Sequence, residues 1–325
     1  MNTGVVKVPD PRLDYLHDHF KVPKKVPIEV HVLDFVPIRG GESGRKGMSP
    51  QLLGQMRACD ALIIVVRAFD DPSVPHPGGA VDPAGDLRNM LLELSFADIE
   101  VVERRLERIE SDFRKGKKED RAAAGKEKAL LEGVREVLEG GGTPGAMTLT
   151  DEQERILTGF GFLTMKPAVV VVNAGEGGEA AAGAVAGAAS GGAPVVAVSG
   201  RFELEMASLE EDERREFLES LGHETPAAER VLGAVLGASD TVSFFTTGKD
   251  EVRAWAVKRG SDAVTAAGKV HTDMARGFIR AEVVAFDDLR ESGGIQQARE
   301  RGKLRLEGKS YVVRDGDVVT FRFNV

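Results

Sequence analysis

Phosphoryl transfer leaves the most recognisable mark on a sequence, and this chain does not carry it. A strand followed by G-x-x-x-x-G-K-[ST] and a helix would cradle the phosphates of a nucleotide. No such run occurs among the 325 residues. Gly308-Lys309-Ser310 carries its last three letters, but Lys303 stands where the first glycine belongs. The segment links two strand-like runs near the C-terminus, so it reads as a plain hairpin turn. The six histidines are scattered, without an H-E-x-x-H or similar ligand pair. His271 has no second catalytic partner spaced near it and reads as structural. The single cysteine, Cys59, excludes an intrachain disulfide and a Cys-rich zinc site. Concentrated positive charge occurs at Arg114-Lys115-Gly116-Lys117-Lys118. That run could contact RNA phosphates or simply face water, as most charge runs do. No catalytic set is assigned from residue types alone.

The elements that must position any site belong to a chain of globular composition, with 42% hydrophobic and 29% charged residues. Its length calls for two or three domains. A formal net charge of −9 argues against a dedicated DNA binder, whose affinity rests on neutralising phosphates. No apolar run approaches the ~18 residues of a membrane span, and Met1 to Phe20 is charged throughout, unlike a signal peptide. The expectation is a cytoplasmic protein with no membrane partner.

Four apolar runs, Ile28–Phe35, Ala61–Val66, Ala168–Val172 and Pro194–Val198, read as strands. Runs of this kind suit a parallel sheet covered on both faces by helices, with ligand loops where the strands end. Between the second and third, Ile99, Val102, Leu106, Ile109 and Phe113 form a heptad seam on a charged helix. The basic turn follows. A second helix returns through Leu130, Leu131, Val134, Val137 and Leu138 and ends at Gly140-Gly141-Gly142. This predicts an antiparallel coiled-coil hairpin inserted in the first domain. The Gly/Ala tract from Gly175 to Gly192 predicts a poorly specified surface helix or loop. From about Thr241 onward, strands are predicted over 243–247, 252–257, 277–284, 311–314 and 318–323, with one helix-like segment at Asp262 to Ala267. Asp315-Gly316 is expected to turn the last hairpin.

KVHTDMARGFIRAEVVAFDDL (Lys269–Leu289), KLRLEGKSYVVRDGDVVTFRFNV (Lys303–Val325) and VRAWAVKRG (Val252–Gly260) resemble the TGS (DUF933-type) module of the YchF (Obg-like) ATPases. NTGVVKVPDPRLDYL (Asn2–Leu16) is similar to the segment after switch I, and GFGFLTMKPAVVVVNAGE (Gly159–Glu176) to the strand with the base-recognition motif. The resemblance implies an α/β fold: an incomplete P-loop NTPase-like parallel sheet (1–95 and 165–240), an inserted coiled-coil hairpin (96–164) and a C-terminal β-grasp TGS domain (241–325). The family's opening strand, phosphate loop and first helix would precede Asn2.

The resemblance also implies site residues. In P-loop enzymes an Asp-x-x-Gly ends a strand, its Asp holding magnesium through water and its Gly N–H touching the terminal phosphate. The matching residues are Asp34-Phe35-Val36-Pro37, so the Asp remains and proline, which has no N–H, replaces the glycine. The Gly-rich stretch Gly40–Gly47 beyond it reads as a surface loop or a relic switch. Asn173-Ala174-Gly175-Glu176 fits the family's Asn-x-x-Glu, associated with adenine. Ser199-Gly200 falls in its last nucleotide loop. Asn173, Glu176, Ser199 and Gly200 are therefore the expected adenine pocket, and Asp34 the expected Mg2+ residue, if binding is retained. ATP and Mg2+ are the cofactors implied by the family, and the ribosome or ribosomal RNA the partner, with Arg114, Lys115, Lys117 and Lys118 as candidate RNA contacts. The expected protein is a YchF-like nucleotide-binding homologue deficient in hydrolysis. The alternatives are a Mg-dependent ATPase truncated at its front, and a decayed gene product that barely folds.

Overall fold

The computed structural model describes residues 2–35, 48–76, 78–116, 121–175, 178–220, 222–223 and 225–324. The chain begins with β1 (Asn2–Lys7), α1 (Pro11–Phe20), β2 (Lys24–Val26) and β3 (Glu29–Asp34). It continues through α2 (Pro50–Ala58), β4 (Leu62–Ala68), α3 (Pro83–Arg114), α4 (Arg121–Glu139), α5 (Asp151–Thr158) and β5 (Ala168–Ala174). Next come α6 (Glu179–Ala186), β6 (Val195–Val198), α7 (Gly200–Met206), α8 (Glu211–Ser220) and α9 (Ala227–Ala238). The last segment holds β7 (Thr241–Thr247), β8 (Glu251–Lys258), α10 (Ala263–Val270), α11 (Thr272–Arg276), β9 (Phe278–Ala285), α12 (Phe286–Ser292), α13 (Ile295–Glu300), β10 (Arg305–Glu307) and β11 (Asp317–Phe323). The fold is α/β, with one mixed sheet, one parallel sheet and a two-stranded antiparallel sheet among the described residues. Two compact units emerge, Met1–Asp34 with Ser239–Val325, and Phe35–Ala238.

In the first unit the sheet order is β10-β9-β11-β7-β8-β2. One face carries Phe244, Val283 and Phe321 against the small residues Ala263, Ala266 and Ala267 of α10. Asp262 caps that helix, accepting the Thr265 N–H at 2.8 Å. The other face is filled by Leu13 and Leu16 of α1 together with Phe245, Val284 and Leu289. This corrects the expected domain boundary: residues 1–34 pack with the C-terminal module rather than completing the first α/β domain. The reason is physical. Leu13 and Leu16 are buried among that module's side chains, and β2 pairs parallel with β8. Arg12 adds a clasp, bonding Asp10 at 2.8 Å and Asp315 at 2.6 Å.

Two strand expectations fail here. The run at 28–35 does not enter a parallel sheet; β3 pairs antiparallel with β1 over Glu29–Asp34. Residues 311–314 form only an isolated bridge, Val312 with Asp262. Asp315-Gly316 therefore closes no hairpin. Asp315 Oδ1 accepts the Ser243 N–H at 2.9 Å, and the Gly316 N–H donates to Ser243 O at 2.8 Å. Gly316 sits at φ +84°, a conformation that glycine adopts without strain. The turn thus feeds β11 into place beside β7 and β9. The short strand β10, which pairs with β9, was not foreseen.

The second unit is built on a parallel sheet of order β4-β5-β6. β5 is central, and Val169–Val172 are buried on both faces as the continuous apolar run predicts. β4 departs from that expectation. As the outer strand it alternates, leaving Ile63 and Val65 exposed while Leu62, Ile64 and Val66 face the core. The helical hairpin lies between β4 and β5 in sequence, as expected, and Val102, Leu106, Ile109, Leu131 and Val134 form its seam. Its first helix starts earlier than the predicted boundary at 96. Leu87 and Leu94 pack on the sheet, and the same helix then carries the hairpin. Where the two roles meet, Asp98 is fully buried. It accepts from Arg57 of α2 at 2.8 Å and from the Thr164 N–H and hydroxyl at 2.8 and 2.9 Å. The Gly/Ala tract forms α6, with Val185 in the core.

Candidate functional site

The parallel pairing of β5 and β6 places Asn173 opposite Val198 at the ends of adjacent strands. One residue later, Ser199 turns the chain into α7, its Oγ accepting the Phe202 N–H at 3.4 Å. The next N–H, of Gly200, donates to Asn173 Oδ1 at 3.0 Å. Because Gly200 offers only a donor, the amide oxygen must face it, and the orientation of the side chain is settled. The approach is close. A Cβ on Gly200 would lie 3.2 Å from Oδ1 and 3.3 Å from Nδ2. At the other end of α7's first turn, Glu203 accepts the Ala227 N–H at 2.9 Å, which ties the loop to α9.

Chemically, this leaves Asn173 half-exposed with its oxygen filled. Among the described residues no acceptor meets Nδ2, and an amide nitrogen can donate two hydrogen bonds. A purine ring nitrogen can accept one. The structure therefore brings together Asn173, Ser199 and Gly200, and it gives Gly200 a role in orienting the amide, its N–H being already committed. Glu176 lies outside the described residues.

A further element missed in the sequence is Arg67, in register with Asn173 on β4. Its guanidinium donates to Phe69 O at 2.9 Å and Val74 O at 2.6 Å and stacks over the Phe69 ring at 4.5 Å. It shapes the loop that follows the strand. The available signal was a cation at the end of an otherwise apolar run, at the sheet edge where ligand loops sit. Farther along that loop, His76 Nδ1 accepts the Gly78 N–H at 3.1 Å, so Nε2 carries the proton and gives it to Asp86 Oδ2 at 3.0 Å.

Asp34 is placed in the first unit, at the end of β3, and is exposed; its carboxylate accepts from Asn2 Nδ2 at 3.5 Å. Among the described residues no group of three or more His, Cys, Asp or Glu could hold a metal ion. Magnesium binding commonly combines one or two carboxylates with substrate phosphates. A lone exposed Asp does not by itself meet that need. Val36, Pro37 and Gly40–Gly47 lie outside the described residues. For a nucleotide, the described residues therefore offer the Asn173 amide as a donor that a base could use, and they supply no cradle for the phosphates or Mg2+.

Of the basic run, Arg114 ends α3, Lys115 is its C-cap and both are exposed; Lys117 and Lys118 lie outside the described residues. Arg121 approaches the same turn from α4, donating to Phe113 O at 3.2 Å. His271 caps α11, its Nδ1 accepting the Asp273 N–H at 3.1 Å, a structural role. No helix among the described residues is long and apolar enough to cross a membrane.

Residues 241–324 match the family YchF-GTPase_C, described as a protein of unknown function (DUF933). Over its full length the chain is 39% identical to the ribosome-binding ATPase YchF of Bacillus subtilis (strain 168), of which the match spans 89%. It is 36% identical to Obg-like ATPase 1 of Caenorhabditis elegans, over 99% of this chain and 83% of that protein. Among solved structures, the Schizosaccharomyces pombe YchF GTPase matches with a TM-score of 0.85 at 29% identity, over 98% of this chain and 87% of that one. A GTP binding protein from Pyrococcus horikoshii OT3 shares the fold, with a TM-score of 0.54 at 17% identity over 92% of this chain and 84% of that one.

Proposed function

The chain belongs to the YchF family, and from that premise we propose that it is a ribosome-associated protein that recognises an adenine base without hydrolysing the nucleotide. The observation that supports this reading is the bond from the Gly200 N–H to Asn173 Oδ1, which fixes the amide oxygen and leaves Nδ2 as the side chain's donor at the end of the parallel sheet. Ser199 stabilises the loop that supplies Gly200. Asn173 would then donate to a ring nitrogen of the purine, and Glu176, by family analogy, would favour adenine.

ATP and Mg2+ are the ligands that the relatives' names and chemistry suggest. No G-x-x-x-x-G-K-[ST] run, the sequence mark of a phosphate loop, occurs among the 325 residues. For that reason the base half of the site is assigned a binding role, and no chemical step is assigned to the chain. The relatives' ATPase names favour a second reading, Mg-dependent ATP hydrolysis, and one assay separates the two. The 325-residue protein is expected to turn over neither ATP nor GTP above background. A Mg-dependent rate that disappears in Asp34→Ala would support the second reading instead.

The remaining parts take family roles in the same proposal. Unit Phe35–Ala238 is read as P-loop NTPase-like with an inserted coiled-coil hairpin, and residues 241–325 as a TGS module of β-grasp type. The relatives named ribosome-binding ATPase support a ribosomal partner. The exposed Arg114 and Lys115, with Lys117 and Lys118 beside them in sequence, are the proposed contacts with ribosomal RNA.

A further inference from the structure

The second unit contains a cavity of about 520 Å³ at the edge where the parallel strands begin. Leu62, Ala168 and Pro194 line it at the entry to β4, β5 and β6. Asn173 lies at the opposite end of β5, about 16 Å away along the strand. The cavity is therefore separate from the proposed base site, and its volume lies within the range of small-molecule sites.

The composition of its walls explains why the space is there and what would fill it. One wall is the leucine face of α3, with Leu87, Leu91 and Leu94. The facing wall is the end of the Gly/Ala tract, where Ala188, Ala189, Gly191, Gly192 and Ala193 carry nothing beyond a Cβ. Large side chains on one side and almost none on the other leave a gap that neither wall closes. Of the polar side chains that line it, Ser95 and Thr164 are engaged, Arg88 and Lys166 are positively charged, and Thr143 makes no side-chain capping bond. Ser95 Oγ donates to Leu91 O at 3.0 Å, and Thr164 Oγ1 donates to Asp98. Arg88 and Lys166 are the charged groups of the lining, and among the described residues no Asp or Glu lines it, although the chain carries net charge −9. Lys166 is anchored by donating to Cys59 O at 2.5 Å, with two ammonium hydrogens left. Arg88 is exposed and forms a long ion pair with the exposed Asp82 at 4.0 Å.

We infer that this cavity is a binding site for a small apolar monoanion, its hydrocarbon body between α3 and the Gly/Ala wall and its charged group at Arg88 and Lys166. Burial of the hydrocarbon supplies the affinity, and the cations with no carboxylate among the lining residues select the sign of the headgroup.

The probe is decanoate, titrated into the full chain by calorimetry, with decanol and decyltrimethylammonium as uncharged and cationic counterparts of equal chain length. Decanoate is expected to bind with 1:1 stoichiometry, about tenfold more tightly than decanol, and the ammonium compound not at all. Arg88→Gln and Leu92→Glu alter exposed positions of α3 on the cavity lining, where the fold tolerates change. The first is expected to bring decanoate down to the affinity of decanol, and the second to abolish decanoate binding while the circular dichroism spectrum is unchanged. Adenosine binding should be the same with or without decanoate. Absence of decanoate binding, binding of the three probes with equal affinity, or binding unaffected by both variants would each overturn the inference.

Discussion

Gly200 and Asn173 are 27 positions apart and share one hydrogen bond, and the base site depends on it. A methyl group on Gly200 would press on both amide heavy atoms of Asn173 at 3.2 and 3.3 Å. Gly200→Ala is therefore expected to weaken adenosine binding by about tenfold through a displaced amide, at a stability cost of about 1 kcal/mol or less. Titration of adenosine into the variant, with a thermal melt as control, checks both parts. At the same scale, burial raises the Asp315 carboxyl, but bonds from Arg12 and from the Ser243 N–H outweigh it and hold the group below its ordinary 3.8. With the folded value depressed, its stabilisation is complete above the ordinary range and is lost as the pH falls through the folded value. Asp315→Asn should lower stability near neutral pH by about 1 kcal/mol and flatten the part of the acid limb below pH 3.8, which urea melts from pH 2 to 7 would reveal. Asn173 was legible in the sequence because it follows a buried apolar run. The function of Gly200 was not, since no local pattern shows which distant side chain a backbone N–H will meet.

Helix α3 serves two layers, and the transition is fixed by a buried ion pair. Arg57 donates to Asp98 Oδ1, to Ala97 O at 3.0 Å and to Gly161 O at 3.0 Å, while Asp98 is fully buried. Removing Arg57 leaves the buried Asp98 carboxylate without its counter-charge, with only the two Thr164 hydrogen bonds. Arg57→Met is accordingly predicted to cost about 3–5 kcal/mol, read as a shifted urea midpoint. A loss below about 1 kcal/mol would show that the pair contributes little. The heptad seam made the hairpin legible from Ile99 onward. The start of the helix was missed because Leu87 and Leu94, also seven apart, face the sheet instead of α4. The same scale holds the proposed ribosome contact. Replacing Arg114, Lys115, Lys117 and Lys118 with Glu should reduce co-sedimentation with ribosomes and flatten its salt dependence, because counterion release from phosphates drives such binding. Equal pelleting of the two proteins would remove the tip from the proposal.

At the scale of the whole molecule, the first 34 residues and the last 87 make one folding unit with a shared core. Sequence reading divided them because α1 is short and its partners lie more than 200 positions away; the strand runs of the C-terminal module were legible locally, whereas long-range burial was not. Leu16 is fully buried against that module's core cluster, so Leu16→Ala is expected to cost about 2–5 kcal/mol. A polypeptide of residues 241–325 alone should melt below the same module in the full chain, since Phe245 and Val284 lose their cover. Equal melting temperatures would show that residues 1–34 are dispensable. The second unit is where the proposed recognition resides, and its half-site can be tested directly by calorimetric titration of adenosine, ATP and GTP into the 325-residue protein and Asn173→Ala. Recognition of the base without a phosphate cradle predicts that adenosine and ATP bind within a few-fold of each other, GTP more weakly, and none of them in the variant. ATP binding far tighter than adenosine, a preference for GTP, or affinity unchanged in Asn173→Ala would contradict it.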